Sequence, residues 1–218
     1  MLTIWGRRTS SNVQALMWCV GELGLAYRRH DAGHRYGVID TPAFLAMNPN
    51  GTVPVLRDGD AEPIWETGAI IRYLADRYGN GAFWPRDAQA RVHVDKWAEW
   101  AKLNIAINFT GPVFWHVVRT APAQRDPAAL ARAFNSLDPK LDIAEQRLAS
   151  HAFLAGEHFT PADIQLGHVL HRYFDIEIPR PERPALRRYY ESLTHRPAFR
   201  EHVMVSYEEL AHNAGHTS

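Results

Sequence analysis

The chain has 218 residues, enough for one large domain or two small ones, with 46% apolar and 22% charged side chains, the balance of an ordinary globular protein. Twenty-four basic and 24 acidic residues cancel, which excludes the strong positive field of a nucleic-acid or anionic-membrane surface. A single cysteine, Cys19, excludes an internal disulfide framework and fits a reducing compartment, so a cytoplasmic protein is expected.

In chain order, Leu2 and Ile4 alternate with Thr3 and Trp5, a short strand. Gly6 to Ser11 reads as a loop. Val13, Leu16, Met17, Val20 and Leu23 then recur at helical spacing from about Asn12, and Gly24 stops that helix. Ala26–Asp31 suits a second strand. His34 to Asn50 is mixed, with Pro42 and Pro49 limiting any helix to a short piece. Val53–Arg57 reads as a strand, Asp58-Gly59 as a hairpin turn, and Glu62–Trp65 as its returning partner. Ile70, Ile71, Leu74 and Tyr78 give a helix from about Glu66, closed by Gly79.

The first 80 residues thus read strand-helix-strand followed by strand-strand-helix. Asn80 to Arg86 has the composition of a linker. From there the pattern is helical throughout: Leu137, Leu141, Ala144 and Leu148 share one face, as do Leu166, Val169, Leu170 and Tyr173. Gly111-Pro112 is expected to bend or break the first long helix of this half. The expectation is an α/β plus all-α chain, with an α/β domain over 1–80 and an all-helical domain over 87–218.

Three patterns in fixed order carry a family resemblance: Asn48-Pro49-Asn50-Gly51-Thr52-Val53-Pro54, then Trp65-Glu66-Thr67-Gly68-Ala69-Ile70, then Phe159-Thr160-Pro161-Ala162-Asp163. With them the chain resembles the cytosolic glutathione transferases, and its opening, Ser10-Ser11-Asn12, is similar to the serine-type bacterial branch. The resemblance implies a thioredoxin-like βαβ-ββα domain, glutathione as co-substrate, no metal, and a twofold homodimer. It implies conjugation of glutathione to a small hydrophobic electrophile. A non-catalytic glutathione-binding module, or another glutathione reaction such as peroxide reduction or dehalogenation, are the rival readings.

The resemblance also implies residue roles, among them a cis bond before Pro54. A cis bond before Pro54 would leave the backbone N–H and C=O of Val53 free to pair with the cysteinyl part of glutathione as an added strand. Thr67 at a helix N-terminus suits a carboxylate, and Glu66 the neighbouring ammonium of the γ-glutamyl end. The thiol must be ionised, since a free thiol near pKa 8.5 is largely protonated at neutral pH. No tyrosine precedes Tyr27, so a hydroxyl of the loop is the expected donor. Counting back from Gly24-Leu25-Ala26-Tyr27 places the serine of serine-type relatives on Ser10, with Ser11, Asn12 and Thr9 the alternatives. Thr52 and His34 are further candidates for the tripeptide; because Asn50-Gly51-Thr52 offers no charge to the glycyl carboxylate, His34 or Arg35 of the preceding loop would supply it. Arg8, Asn104, Phe109 and Trp115 are candidates for the electrophile site. His168 and His171 stand one turn apart without a third ligand at motif spacing, so no metal site is expected. Thr160-Pro161-Ala162-Asp163 is a capping box and belongs to folding.

Overall fold

The computed structural model describes residues 1–212; the end of the expected helical domain, 213–218, lies outside them. Four strands form one mixed sheet: β1 (Leu2–Trp5), β2 (Tyr27–His30), β3 (Val55–Asp58) and β4 (Ile64–Trp65). Their order is β2-β1-β3-β4, with β1 parallel to β2 and antiparallel to β3, and β3 antiparallel to β4. The parallel pair needs a crossover, and α1 (Ser11–Glu22) supplies it. A short α2 (Pro42–Leu45), N-capped by Thr41, leads back to β3, and α3 (Thr67–Tyr78) follows β4. Leu2 and Ile4 are buried while Thr3 and Trp5 are half-exposed, as the alternation requires.

The elements are shorter than the sequence patterns at both ends of the hairpin. The third strand begins at Val55, not Val53, because the Val53–Pro54 peptide is cis and turns the chain before the ladder starts. The returning strand is only Ile64–Trp65, since Pro63 precedes it and has no N–H to give. The second strand covers Tyr27–His30 rather than Ala26–Asp31.

Beyond α3, the segment expected to be a linker is packed: Phe83 and Trp84 are buried, and Asn80 Oδ1 accepts from the N–H groups of Ala82 and Phe83. α4 (Ala88–Trp100), α5 (Ile107–Phe109) and α6 (His116–Arg119) are stretches of one continuous helix, joined by π-helical turns over Ala101–Ala106 and Thr110–Trp115. Gly111-Pro112 therefore does not break the helix. The wider π turn spans the position where Pro112 lacks an N–H and its ring would crowd the preceding carbonyls. α7 (Pro127–Ser150), α8 (Pro161–Asp175), α9 (Pro184–Thr194) and α10 (Pro197–His202) complete the helical half.

One apolar core runs through both halves, from Leu2 and Ile4 to Phe199 and Leu210. Trp18 of α1 is its bridge. It packs edge-on against Phe199 at 4.8 Å and at 5.3 Å from Phe159, and Gly167 of α8 lets it approach. A Cβ at Gly167 would lie 2.7 Å from Trp18 Cη2 and 2.7 Å from Leu193 Cδ1. The α1 end is tied by Glu22, which accepts from Trp18 Nε1 at 2.8 Å and pairs bidentately with Arg196 at 2.8 and 2.6 Å. The seam between the halves is thus set along α1.

Candidate active site

Three backbone features meet where β1, β3 and α3 end or begin. The turn from β1 into α1 makes Ser10 the N-cap of α1, one residue earlier than the pattern from Asn12 implies. Its carbonyl accepts from Gln14 N–H at 2.8 Å and starts the helix, but its side chain makes no cap hydrogen bond. An N-cap serine normally spends its hydroxyl on the N–H groups of the first turn. Here the hydroxyl and those N–H groups remain available together at the positive end of the helix.

The neighbouring donors are differently placed. Thr9 donates its hydroxyl to the Glu209 carboxylate, and its carbonyl accepts from Arg172 Nη2 at 2.6 Å. Asn12 Oδ1 accepts from Lys102 Nζ, reaching across from the first π turn at 2.5 Å. Burial lowers the Lys102 pKa, while Glu66 and Glu99 nearby pull it back up. Ser11 is half-buried, and its hydroxyl has no hydrogen-bond partner among the described residues. Of the four candidates for the sulfur, Thr9 is thus engaged elsewhere, and Asn12 is fixed through its oxygen with its amide N–H groups left over.

The second feature is the cis Val53–Pro54 bend. Among the described residues, no backbone hydrogen bond reaches the N–H or C=O of Val53, and the β3–β4 ladder begins only at Val55. Asn48, 1% exposed, builds this bend: its Nδ2 donates to the Thr52 carbonyl at 2.8 Å and hydroxyl at 3.1 Å, and its Oδ1 accepts from Asn50 N–H at 3.0 Å. The hydroxyl of exposed Thr52 is thereby engaged by Asn48. Asn48 has a structural role that its place in the motif alone does not reveal.

The third is the start of α3. Thr67 is buried at the first helical position, and exposed Glu66 is the N-cap at φ 69°, ψ 114°, a region L side chains rarely adopt. No acidic residue occupies the first turn of α3, so its free N–H groups have no internal anion.

His34 is exposed at φ 56°. Burial and the nearby Arg7 and Arg119 lower its pKa, with Glu209 opposing. The electrophile candidates divide. Trp115 is half-exposed on the second π turn, with the Arg119 guanidinium 3.5 Å above its ring. Asn104 is half-buried but spends its amide on the Trp100 carbonyl at 3.1 Å. Phe109 is a correction: 1% exposed, packed on Phe114 and Tyr173, it belongs to the helical core and presents no surface to a ligand. Arg8 is a second correction. It points across α1 to the Glu201 carbonyl at 3.2 Å and lines a cleft with Tyr27, Arg29 and His202, away from the cis-proline bend.

Four further titratable groups, Cys19, His168, His171 and Asp163, are structural. Cys19 is fully buried in α1, and burial pushes its thiol well up, so it is no nucleophile. His168 is buried with Nδ1 on the Ile164 carbonyl at 3.0 Å and is pushed down to about 3 by burial. His171 meets the Tyr190 hydroxyl at 3.2 Å. Asp163 completes the capping box and accepts from Leu154 N–H and the Tyr189 hydroxyl, both at 2.8 Å. Sequence reasoning missed Lys102, Arg7, Arg119 and Glu209, which carry no motif and reach the site only through the fold.

A mixed four-stranded sheet with a cis-proline bend, backed by a helical domain, defines the glutathione-transferase fold. Family models agree: residues 9–77 match the glutathione S-transferase N-terminal domain and 127–192 the C-terminal domain. The chain is 36% identical over 206 residues to glutathione S-transferase GstB of Escherichia coli, covering 94% of this chain and 99% of that one. It is 32% identical to glutathione S-transferase 3 of Zea mays, covering 93% of each. A theta class glutathione S-transferase of Xanthomonas axonopodis, solved with glutathione bound, superposes with a TM-score of 0.88 at 42% identity, covering 94% of this chain and 98% of that one. The chain belongs to the glutathione S-transferase family, and its activity class is that of a glutathione transferase.

Proposed function

We propose that glutathione lies across the three features above and that Ser10 ionises its thiol. The cysteinyl backbone pairs with Val53 at the cis-Pro54 bend. The γ-glutamyl carboxylate meets Thr67 and the α3 N-terminus, and its ammonium meets Glu66. The sulfur then falls at the N-terminus of α1, where Ser10 donates its hydroxyl, the helix end adds positive potential, and the Asn12 amide, turned by Lys102, adds a second donor. His34 serves the glycyl end. The thiolate attacks a small electrophile seated against Trp115 and α6. No step needs a metal. The chain works as a cytoplasmic homodimer in detoxification, with an α/β domain over 1–80 and a helical domain over 87–218.

The observation that carries this reading is the unspent hydroxyl of an N-cap serine beside an open strand edge. Removing that donor from a water-poor site costs about 10- to 1,000-fold in turnover. Ser10→Ala should therefore lower kcat toward a neutral aryl halide by at least about tenfold while the KM for glutathione changes little. An unchanged kcat would move the role to Ser11 or Asn12.

A further inference from the structure

We propose that the mouth of this site takes an electrophile that carries a carboxylate, held by Arg7 and Arg119 beside the sulfur. The inference rests on the thiolate chemistry above and names its substrate class. Cations from separate segments converge here: Arg7 of the β1–α1 turn, His34 and Arg35 after β2, Arg119 of α6 and Arg172 of α8. The carboxylate that Arg7, His34 and Arg35 share is Glu209, whose side chain is 13% exposed and already committed. It accepts from the Thr9 hydroxyl, pairs with Arg35 at 2.7 Å and lies 3.5 Å from the Tyr36 hydroxyl.

The other guanidiniums are not satisfied. Arg7 Nε and Arg172 Nη1 are buried without a hydrogen-bond partner among the described residues. Arg119 forms no ion pair or hydrogen bond among them and sits with its Cζ 3.5 Å over the Trp115 ring. Burial lowers the pKa of all three, the mark of cations lacking full compensation. Unpaired buried charge is costly, and an arriving anion offsets that cost with charge-assisted, bidentate bonds.

Placement gives these groups their chemistry. Arg7 Nη1 lies 3.1 Å from the Cβ position of Gly33, which is itself 3.6 Å from Val53 Cγ2, so this guanidinium stands beside the cysteinyl-binding edge. Arg172 donates to the carbonyl of Thr9, the residue before Ser10. A thiolate and a carboxylate-bearing substrate repel each other in water. Arginines at this position turn that repulsion into attraction. In the reaction the sulfur attacks the carbon bearing a halide, the S–C bond forms as the C–halogen bond breaks, and halide leaves with the electron pair. The carboxylate is unchanged.

Iodoacetate and iodoacetamide share leaving group and size and differ in charge. Cys19 is buried and does not consume either reagent. The test is the ratio of kcat/KM for iodoacetate over iodoacetamide with glutathione, divided by the same ratio for the uncatalysed reactions. We expect a value of about ten or more, falling by about tenfold in Arg119→Gln and in Arg7→Gln, with the glutathione KM moving far less. Arg119 is exposed, so its variant keeps the fold if the Arg7 variant does not. A tenfold rise in glutathione KM at an unchanged ratio would overturn the proposal and give these arginines to the glycyl carboxylate. A ratio near one in the unmodified enzyme, with iodoacetamide conjugated faster than without enzyme, would overturn the inference alone. No acceleration of either reagent would overturn the thiolate reading with it.

Discussion

At Glu66 the backbone sits at φ 69° while the side chain remains exposed to solvent. Such a geometry costs on the order of 1–3 kcal/mol for a non-glycine residue and persists where the site requires it. Glu66→Ala should keep the fold and raise the glutathione KM by about tenfold or more, the loss of one charge-assisted bond. Glu66→Gly should raise KM similarly yet melt no lower than Glu66→Ala, because glycine adopts positive φ without strain. Calorimetric melting with steady-state kinetics on both variants checks this; a Glu66→Gly protein that binds glutathione normally would remove the side chain from the site. Glu66, Thr67, Val53 and Ser10 were legible because each lies in a local pattern with a backbone consequence. The partners that sort the hydroxyl donors were not. Thr9 is engaged by Glu209, 200 positions away, and Asn12 by Lys102, 90 positions away, and no local pattern encodes such pairs.

Helix α8 carries the seam and, among its buried titrating groups, His168 and Asp163. Gly167 occupies a position with no room for a Cβ between Trp18 and Leu193, both fully buried, so Gly167→Ala should destabilise by about 2 kcal/mol. Denaturant unfolding checks this, and a neutral result would mean the α1–α8 seam yields more than its packing implies. His168, held near 3 in the fold against 6.5 when unfolded, binds a proton only in the unfolded chain over that window. Its contribution is therefore present above pH 6.5 and is lost as pH falls, by about 2 kcal/mol at pH 5. Asp163 acts oppositely: burial raises it to about 6, so the folded state gains a proton first, returning about 1 kcal/mol over the same range. Between pH 7 and 5, His168→Gln should therefore lose about 2 kcal/mol less stability than the unmodified protein. Parallel acid curves for the two proteins would contradict the assignment. The α8 cap was legible as Thr-Pro-Ala-Asp. The passage of Gly111-Pro112 through a continuous helix was not, because the helix-breaking rule assumes α spacing and the chain uses a π turn there.

In the whole molecule, the two halves share one core, and the proposed site lies where the α1 turn, the α3 start and the first π turn come together around Lys102. The order of strands and helices followed from periodicity and turn residues, whereas the buried loop after α3 did not. Its glycines and proline looked like a linker, but Phe83 and Trp84 anchor it. The proposed homodimer predicts a sedimenting mass twice the 24.8 kDa of the chain, independent of glutathione; a single-chain mass at micromolar concentration would contradict it.

If the N-terminus of α1 ionises glutathione through Ser10, the ionisation is visible on the bound thiol itself. The direct measurement is the ultraviolet thiolate absorbance of protein-bound glutathione against pH, for the unmodified chain and for Ser10→Ala. The midpoint should lie about two units below the free thiol value near 8.5 and move back toward that value in Ser10→Ala. A bound thiol that titrates as in water, or an identical midpoint in the variant, would contradict it.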